Sequence, residues 1–451
     1  MDLLRLHTKN YTENGFEYLI MDYNEAIRFL YDLRVFGAKF GLENTFKLAE
    51  LCGNPQDELN FIHIAGTNGK GSTCAMLESI YRAAGYKTGL FTSPHLVSFT
   101  ERIQINRQPI STEEVAKLVS LVKSLMKNFP SDHLPTFFEV TTIMALCYFC
   151  FNECDVVIWE TGLGGRLDAT NIVTPLASVI TNIGLDHQQW LGSTTADIAK
   201  EKAGIIKPCV PIITAADDQQ ALDVIVETAW KKGSPIHTVS KEDIDGLIPD
   251  EVKIPLKGKH QLINAALAIS AVNINRLPVF ESAIVEGLNT VYWPGRFQVV
   301  KKGLRDIILD GAHNINAAAV LRETYKTVYP KIEPSIIVGI FADKDIPSIC
   351  REIGGLSNNV YTVGISSNRS ASPEFIKNEW LKVNPSATVT VCKDLSSALD
   401  LTEHYPVTLI TGSLYLVGEA LEVLGVSTSP SPMERKLNEW QTTAVKFNHG
   451  L

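Results

Sequence analysis

Short apolar runs alternate with longer amphipathic stretches along most of this chain. The runs "FIHIA" (61–65), "KTGLFT" (87–92), "DVVIWE" (155–160), "ASVITNI" (177–183) and "VPIITA" (210–215) have the length and composition of buried strands. Between them, apolar spacing predicts helices over Ser72 to Ala84, Thr112 to Asn128 and Glu139 to Phe151. In the first of these, Ala75, Met76, Ile80, Ala83 and Ala84 mark the buried side, Arg82 suits the negative end of the helix dipole, and Gly85 is a natural stop. After "TVYWPGRFQVV" the alternation restarts with "DIILD" (306–310), "SIIVGIF" (335–341), "NVYTVGI" (359–365), "TVTVC" (388–392) and "VTLITG" (407–412). Strand and helix in regular exchange predict an α/β fold with mostly parallel sheets.

Trp293-Pro294-Gly295 interrupts that rhythm and reads as the seam between domains. The expected division is a first domain over 1–294, a second and smaller α/β domain over 295–426, and a Pro- and Ser-rich polar tail over 427–451 that is loosely held.

Composition narrows the picture. A chain of 451 residues has room for two or three domains, and 45% hydrophobic with 20% charged residues is ordinary for a soluble globular protein. A net charge of −9 and a pI near 5.7 argue against a nucleic-acid partner while leaving room for a local anion site. No apolar run reaches the ~18 residues that cross a bilayer, and "MDLLRLHTKNYTENG" lacks a signal-peptide core, so no membrane partner is expected. Eight cysteines without a regular framework fit reduced thiols and a cytoplasmic location. Cys147, Cys150 and Cys154 in "CYFCFNEC" sit in an apolar stretch without a matching Cys or His pair, and read as core residues rather than metal ligands.

The candidate chemistry begins at "FIHIAGTNGKGSTCAMLESIYRAAG". The familiar phosphate loop G-x-x-x-x-G-K-[ST] needs a hydroxyl directly after the lysine, yet Gly71 follows Lys70 and the hydroxyls wait until Ser72 and Thr73. The context is still a strand-to-helix turn at the carboxyl edge of a sheet. There the free N–H groups of the helix start can hold phosphate oxygens, Gly66, Gly69 and Gly71 let the backbone approach, and Lys70 adds a charge. Two further strand ends support a nucleotide site. "DVVIWE" ends in Glu160, the kind of acid that holds magnesium beside phosphates, and "ASVITNIGLDH" leads to Asp186-His187. A strand-end Glu is otherwise a cap, and a lone His otherwise a silent core residue. The expected first domain is therefore a nucleotide-binding, P-loop-type, mostly parallel sheet, followed by a Rossmann-like second α/β domain.

"HIAGTNGKGS", "FTSPHL", "ETGLGGRLDATN", "TNIGLDHQQWLG", "KEKAGIIK", "WPGRF" and "LDGAHN", in this order, resemble folylpolyglutamate synthase/dihydrofolate synthase, within the ATP-dependent amide ligases that include the Mur ligases. The likeness runs from about residue 15 to about residue 425, and that family's loop carries a glycine between lysine and hydroxyl. It implies ATP, Mg²⁺, L-glutamate and a reduced folate or dihydropteroate as ligands. Asn68, Gly69, Lys70, Gly71 and Ser72 would hold the ATP phosphates, with Asn264, Arg296 and Asp310 completing the ATP site. Ser93, Glu160 and His187 would ligate Mg²⁺. A second Mg²⁺ would sit near His187 and Lys202, the lysine that can carry a carbamate. Thr136 and Asp168 would face the pterin, and His313 and Ser413 the incoming glutamate. Lys70, Glu160, His187, Lys202 and His313 are thus the expected catalytic residues.

Because Arg296 and Asp310 lie beyond the seam, a shared ATP site requires a cleft between domains, and closure of such a cleft excludes water. No nucleophile triad is apparent: "GTNGKGS" is not G-x-S-x-G. A GTPase switch would want N-K-x-D, and "FADKD" (341–345) has the wrong order. A binding protein with lost chemistry is disfavoured by the presence of Glu160, His187 and Lys202 together. A Mur-type ligase acting on a non-folate acid is the alternative within the class. Those chains carry a further domain of roughly one hundred residues before the loop, whereas 65 residues precede Gly66, and "YNEAIRFLYDLRVFGAKFGLENTFKLAELCG" reads as helices and a loop. The acceptor, dihydropteroate or folate or both, is left open. The default oligomeric state is a monomer.

Overall fold

A computed structural model of the chain describes residues 20–36, 41–428, 431 and 433–438. Two sheets carry the fold. The first has strands β1 (Phe61–Ala65), β2 (Thr88–Phe91), β3 (Ile103–Ile105), β4 (Gln108–Pro109), β5 (Val156–Glu160), β6 (Ala177–Ile180), β7 (Ile212–Thr214) and β8 (Ile236–Thr238), in the spatial order 4-3-2-5-1-6-7-8. The pairs from β2 to β8 are parallel, and β3 and β4 add an antiparallel edge. The second has β9 (Gln298–Lys302), β10 (Arg305–Asp310), β11 (Ser335–Val338), β12 (Asn359–Thr362), β13 (Thr388–Val391) and β14 (Val407–Thr411), in the order 13-12-11-14-10-9, parallel except for β9.

Strand residues alternate between two cores, as the pleat requires. On one face of the first sheet Phe61, Phe91, Val157 and Trp159 pack with residues of helices Tyr23–Asp32, Glu43–Leu51, Thr112–Leu125 and Phe137–Phe151. On the other, Ile62, Ile64, Leu90, Val156 and Ile158 meet helices Lys70–Ala83, His260–Ile274 and Glu281–Thr290. Both faces are covered, which is why these strands read as continuous apolar runs. Cys147 and Cys154 are buried in the first of these cores, Cys150 is half-buried, and all three are free thiols. Among the described residues no helix is long and apolar enough to cross a membrane.

The ten strand runs read from the sequence all appear, eight of them trimmed by one to three residues at an end, β1 unchanged and β10 longer by Arg305. Four strands were not expected. β3 and β4 form a hairpin too short to read as a run, turned by Asn106 and Arg107 at φ 49° and 66°, without the glycine that marks such turns. β8 is exposed along its length, and "QVVKK" of β9 is a polar edge strand.

The tail departs from expectation more sharply. Its described residues are docked: Glu434 is fully buried, Leu437 is 2% exposed and Asn438 is 4% exposed. Low hydrophobicity hid this, because the anchoring is by hydrogen bonds. Ser98 Oγ and Phe99 N both donate to Glu434 Oε2, at 2.7 and 2.6 Å.

Candidate active site

Topology brings the chemistry together before any side chain is considered. β1 lies between β5 and β6, so the loop after β1, Glu160 at the end of β5 and Asp186-His187 after β6 share one stretch of carboxyl edge. In the second sheet, Asp310 ends β10, Lys344 follows β11 and Ser413 follows β14, again at carboxyl ends. The two edges meet across a cavity of about 1600 Å³, and every residue nominated from the sequence lines it.

The phosphate loop is built by close backbone approach. Gly66 has φ 154°, and a Cβ there would lie 1.8 Å from Thr181 Oγ1; Gly69, at φ 84°, caps helix Lys70–Ala83. A Cβ on Gly69 or Gly71 would meet Asn264 or Trp293, which shows how tightly the helix His260–Ile274 and the seam press on the loop. Ser72 is buried in the first helical turn. Asn68 N donates to Asn182 Oδ1 (2.8 Å), and its amide exchanges hydrogen bonds with Asn314 of the second domain (3.0 and 3.4 Å).

Two ammonium groups converge on a single carbonyl. Lys70 Nζ and Lys202 Nζ both donate to Gly66 O, at 3.0 and 2.9 Å. Burial, and then the neighbouring Lys70, pull the Lys202 amine down to about 7. Such a pair is a site that gains from an anion. Arg296 points the same way: burial lowers it, while Asp310 and Glu160 favour its charge. Asp310 accepts from Phe297 N and Ala312 N, both at 2.9 Å, so it is oriented by the turn it closes.

Glu160 is 4% exposed, and its Oε2 accepts from Ser93 N at 3.0 Å. Burial pushes its carboxyl up, against Lys70, the Ser93 N–H and Arg296. A carboxylate and a serine beside a phosphate loop are hard oxygen donors and fit Mg²⁺; Lys202, as an amine, does not. Among the described residues no three His, Cys, Asp or Glu side chains are grouped to hold a metal. The nominated set is thus gathered only in part: Glu160 meets Ser93, whereas His187 lies nearest Asp186, with Nε2 4.0 Å from Oδ1. The cleft walls pull the His187 ring down to about 3, against Asp186 and helped by Lys344 and His313. Since 41% of the side chain opens to solvent, the direction, a neutral ring at pH 7, is what the geometry supports.

The sequence offers Asp186 only as the neighbour of His187, without a role of its own. Its carboxylate takes Lys344 Nζ at 2.6 Å and Asn314 Nδ2 at 3.1 Å, and His313 Nε2 stands 3.6 Å away, all from the second domain. Burial raises this carboxyl, but His313, His187 and Lys344 outweigh it and hold it well below the usual range. In the sequence Lys344 belongs to "FADKD", which fails as a guanine motif. Its place just after an apolar strand was the signal that could have found it.

Thr136 and Asp168 line the cavity while serving local structure. Thr136 caps helix Phe137–Phe151 through a reciprocal box with Glu139. Asp168 accepts from Leu163 N (2.8 Å) and from Thr170 N and Oγ1 (3.1 and 2.5 Å). Phe137 and Phe138 make this end of the cavity aromatic. His313 Nδ1 lies 2.8 Å from Gly311 O, and Ser413 caps helix Leu414–Val423.

Residues 64–272 match the Mur ligase middle domain, and residues 295–414 match the glutamate ligase domain of the Mur ligases. The chain is 34% identical over 428 residues to the dihydrofolate synthase/folylpolyglutamate synthase of Bacillus subtilis, covering 88% of this chain and 98% of that one. The chain belongs to the folylpolyglutamate synthase/dihydrofolate synthase family. Other members agree. The Escherichia coli enzyme of that name is 34% identical over 400 residues, 86% of this chain and 92% of the other. The crystal structure of Thermotoga maritima folylpolyglutamate synthase superposes with a TM-score of 0.77 at 34% identity, covering 89% and 96% of the two chains. Escherichia coli FolC in complex with DHPP and ADP gives 0.79 at 30% identity, over 90% and 98%.

Proposed function

We propose that this family member is an ATP-dependent ligase that joins L-glutamate to a folate or to dihydropteroate. The observation that carries the reading is the shared cavity, where the Lys70 and Lys202 ammoniums and the half-buried Arg296 converge beside an aromatic end. The protein acts as a cytoplasmic monomer.

Lys70, the loop amides from Asn68 to Ser72, and Arg296 bind the ATP phosphates, with Asn264 and Asp310 framing the nucleotide. The pteroyl acid lies against Thr136, Phe137 and Asp168. An oxygen of its carboxylate attacks the γ-phosphorus; ADP leaves with the bond's electron pair, and an acyl phosphate forms. Lys70 and Arg296 spread the charge of the transferred group, which is electrostatic positioning rather than covalent catalysis. The glutamate amine, held near His313 and Ser413, then attacks the acyl carbon. Phosphate departs with the oxygen the acid supplied, and the amine loses a proton that His313, lining the cavity, would take. Glu160, Ser93 and the neutral His187 would hold Mg²⁺, which supplies charge neutralisation at the phosphates. A carbamate on Lys202 would replace its donor with oxygens and extend that set.

Labelled glutamate tests the reading, offered with ATP and either dihydropteroate or a reduced folate monoglutamate. Label should appear in an acid-dependent product with at least one acceptor. No incorporation with either acceptor would favour a non-folate acid, the remaining reading for this class.

A further inference from the structure

The described part of the C-terminal tail touches both domains at the aromatic end of the cavity. Toward the first domain, Glu434 O lies 2.9 Å from His95 Nε2, the Glu434 carboxylate holds Ser98 and Phe99, and Asn438 Nδ2 donates to His95 O at 2.8 Å. Toward the second, Asn438 O accepts from the Tyr415 hydroxyl, and Arg435 pairs with Glu422 and, at 3.7 Å, with Glu419. The surfaces it joins are already in close contact, since a Cβ on Gly418 would lie 2.1 Å from Leu96 O.

Two features make this more than a fastening. Leu437 lines the cavity itself, as does Arg102. Arg102 is 3% exposed and is aimed by three partners: Nε donates to His95 Nδ1 at 2.8 Å, one NH2 donates to Asn438 Oδ1 at 2.5 Å, and the guanidinium lies 5.3 Å from the centre of the Phe137 ring. Asn438 therefore fixes a cation and an aromatic ring that face the same space as Leu437. A fastening segment would need the buried Glu434 anchor alone.

We infer that residues 433–438 form a wall of the acid-substrate pocket, with Leu437 as an apolar contact for a flat heteroaromatic acid and Asn438 as the residue that positions Arg102 and Phe137. The inference rests on the ligase reading for the identity of that acid. It makes the tail a specificity element, tied to the second domain through the Tyr415 hydroxyl and the Arg435–Glu422 pair.

The test is equilibrium binding to the full chain, with dihydropteroate and a reduced folate monoglutamate followed by fluorescence and ATP followed separately, for wild type, Leu437→Ala and Asn438→Ala. Each substitution should weaken binding of the acid about tenfold, the scale of one lost apolar or positioning contact. ATP affinity should stay within about twofold, because the hydrogen bonds of Asn438 go to Arg102, His95 and Tyr415 and none goes to the phosphate loop. A thermal melt of each variant accompanies the titrations. Unchanged acid affinity in both variants would overturn the inference, as would equal losses for acid and ATP, the mark of a segment that only holds the fold together. Wild-type protein that binds neither acid would bring down the ligase reading and the wall with it. Wild-type binding with indifferent variants would bring down the wall alone.

Discussion

Lys344→Met is the most informative perturbation of the cleft. The substitution removes a cation 2.6 Å from Asp186 Oδ1 while keeping an unbranched side chain, and both partners are only 9% exposed. A hydrogen bond to a charged group is worth about 1.5–3 kcal/mol. The larger figure of about 3–5 kcal/mol for stranding a fully buried charge does not apply, because Asp186 keeps Asn314 Nδ2 and the His187 backbone N–H. The pair joins the edge of the first sheet to the loop after β11, so the loss falls on domain closure rather than on either domain's core. At about 1.4 kcal/mol per factor of ten, the closed form loses roughly ten- to hundredfold in relative population. Phosphate release dependent on acid and glutamate should fall by a comparable factor in kcat/KM, and small-angle scattering without ligands should give a larger radius of gyration. The thermal melt should move by a few degrees at most. Combining the change with Asp186→Asn should cost less than the sum of the two single changes. A variant within twofold of wild type in kcat/KM, with unchanged scattering, would refute a role of the Asp186–Lys344 pair in closure.

Lys70→Ala should abolish ligation while leaving the melt near wild type, because its ammonium reaches the cavity rather than a core; near-normal turnover would remove the phosphate-loop assignment. Glu160→Gln should move the Mg²⁺ titration to higher concentration and leave pteroyl-acid binding unchanged; an unaltered titration would make Glu160 a cap. His63 predicts an acid-side loss of stability. Its ring is buried, bonded to Thr170 Oγ1 at 3.0 Å, and lowered by burial and then by Lys207 to about 3. The unfolded chain takes up the proton first, so this contribution is complete above about pH 6.5 and is lost as pH falls toward 3; by pH 5 the loss amounts to about 2 kcal/mol. Urea unfolding at pH 7 and pH 5 should show that much less acid sensitivity in His63→Gln than in wild type, and equal sensitivity would contradict the assignment.

The parallel core was legible because its strands are buried on both faces, so "FIHIA" and "DVVIWE" carry their signal in composition alone. The site was legible for a related reason: residues at the ends of those strands must share one sheet edge, which placed Lys70, Glu160 and His187 near one another. What the sequence hid is held by polar contacts between distant segments. Asp186 and Lys344 lie 158 positions apart, and Ser98 and Glu434 lie 336 apart, with no periodicity to link either pair. Hydrogen-bonded docking has no hydropathy signature, so "SPSPMERKLNEW" reads as a loose tail although Glu434 is fully buried. Thr136 and Asp168 show the converse, since their positions drew attention for a ligand while their side chains also cap local structure.

The central claim is that a carboxylate is activated by ATP and captured by glutamate within one cleft. Positional isotope transfer reads it directly: supply the pteroyl acid with both carboxylate oxygens as oxygen-18, add ATP, Mg²⁺ and glutamate, and weigh the phosphate released. The account predicts one heavy oxygen in each phosphate formed, with amide product in equal amount and no phosphate when the acid is omitted. Phosphate free of the heavy isotope, or released at the same rate without the acid, would contradict it.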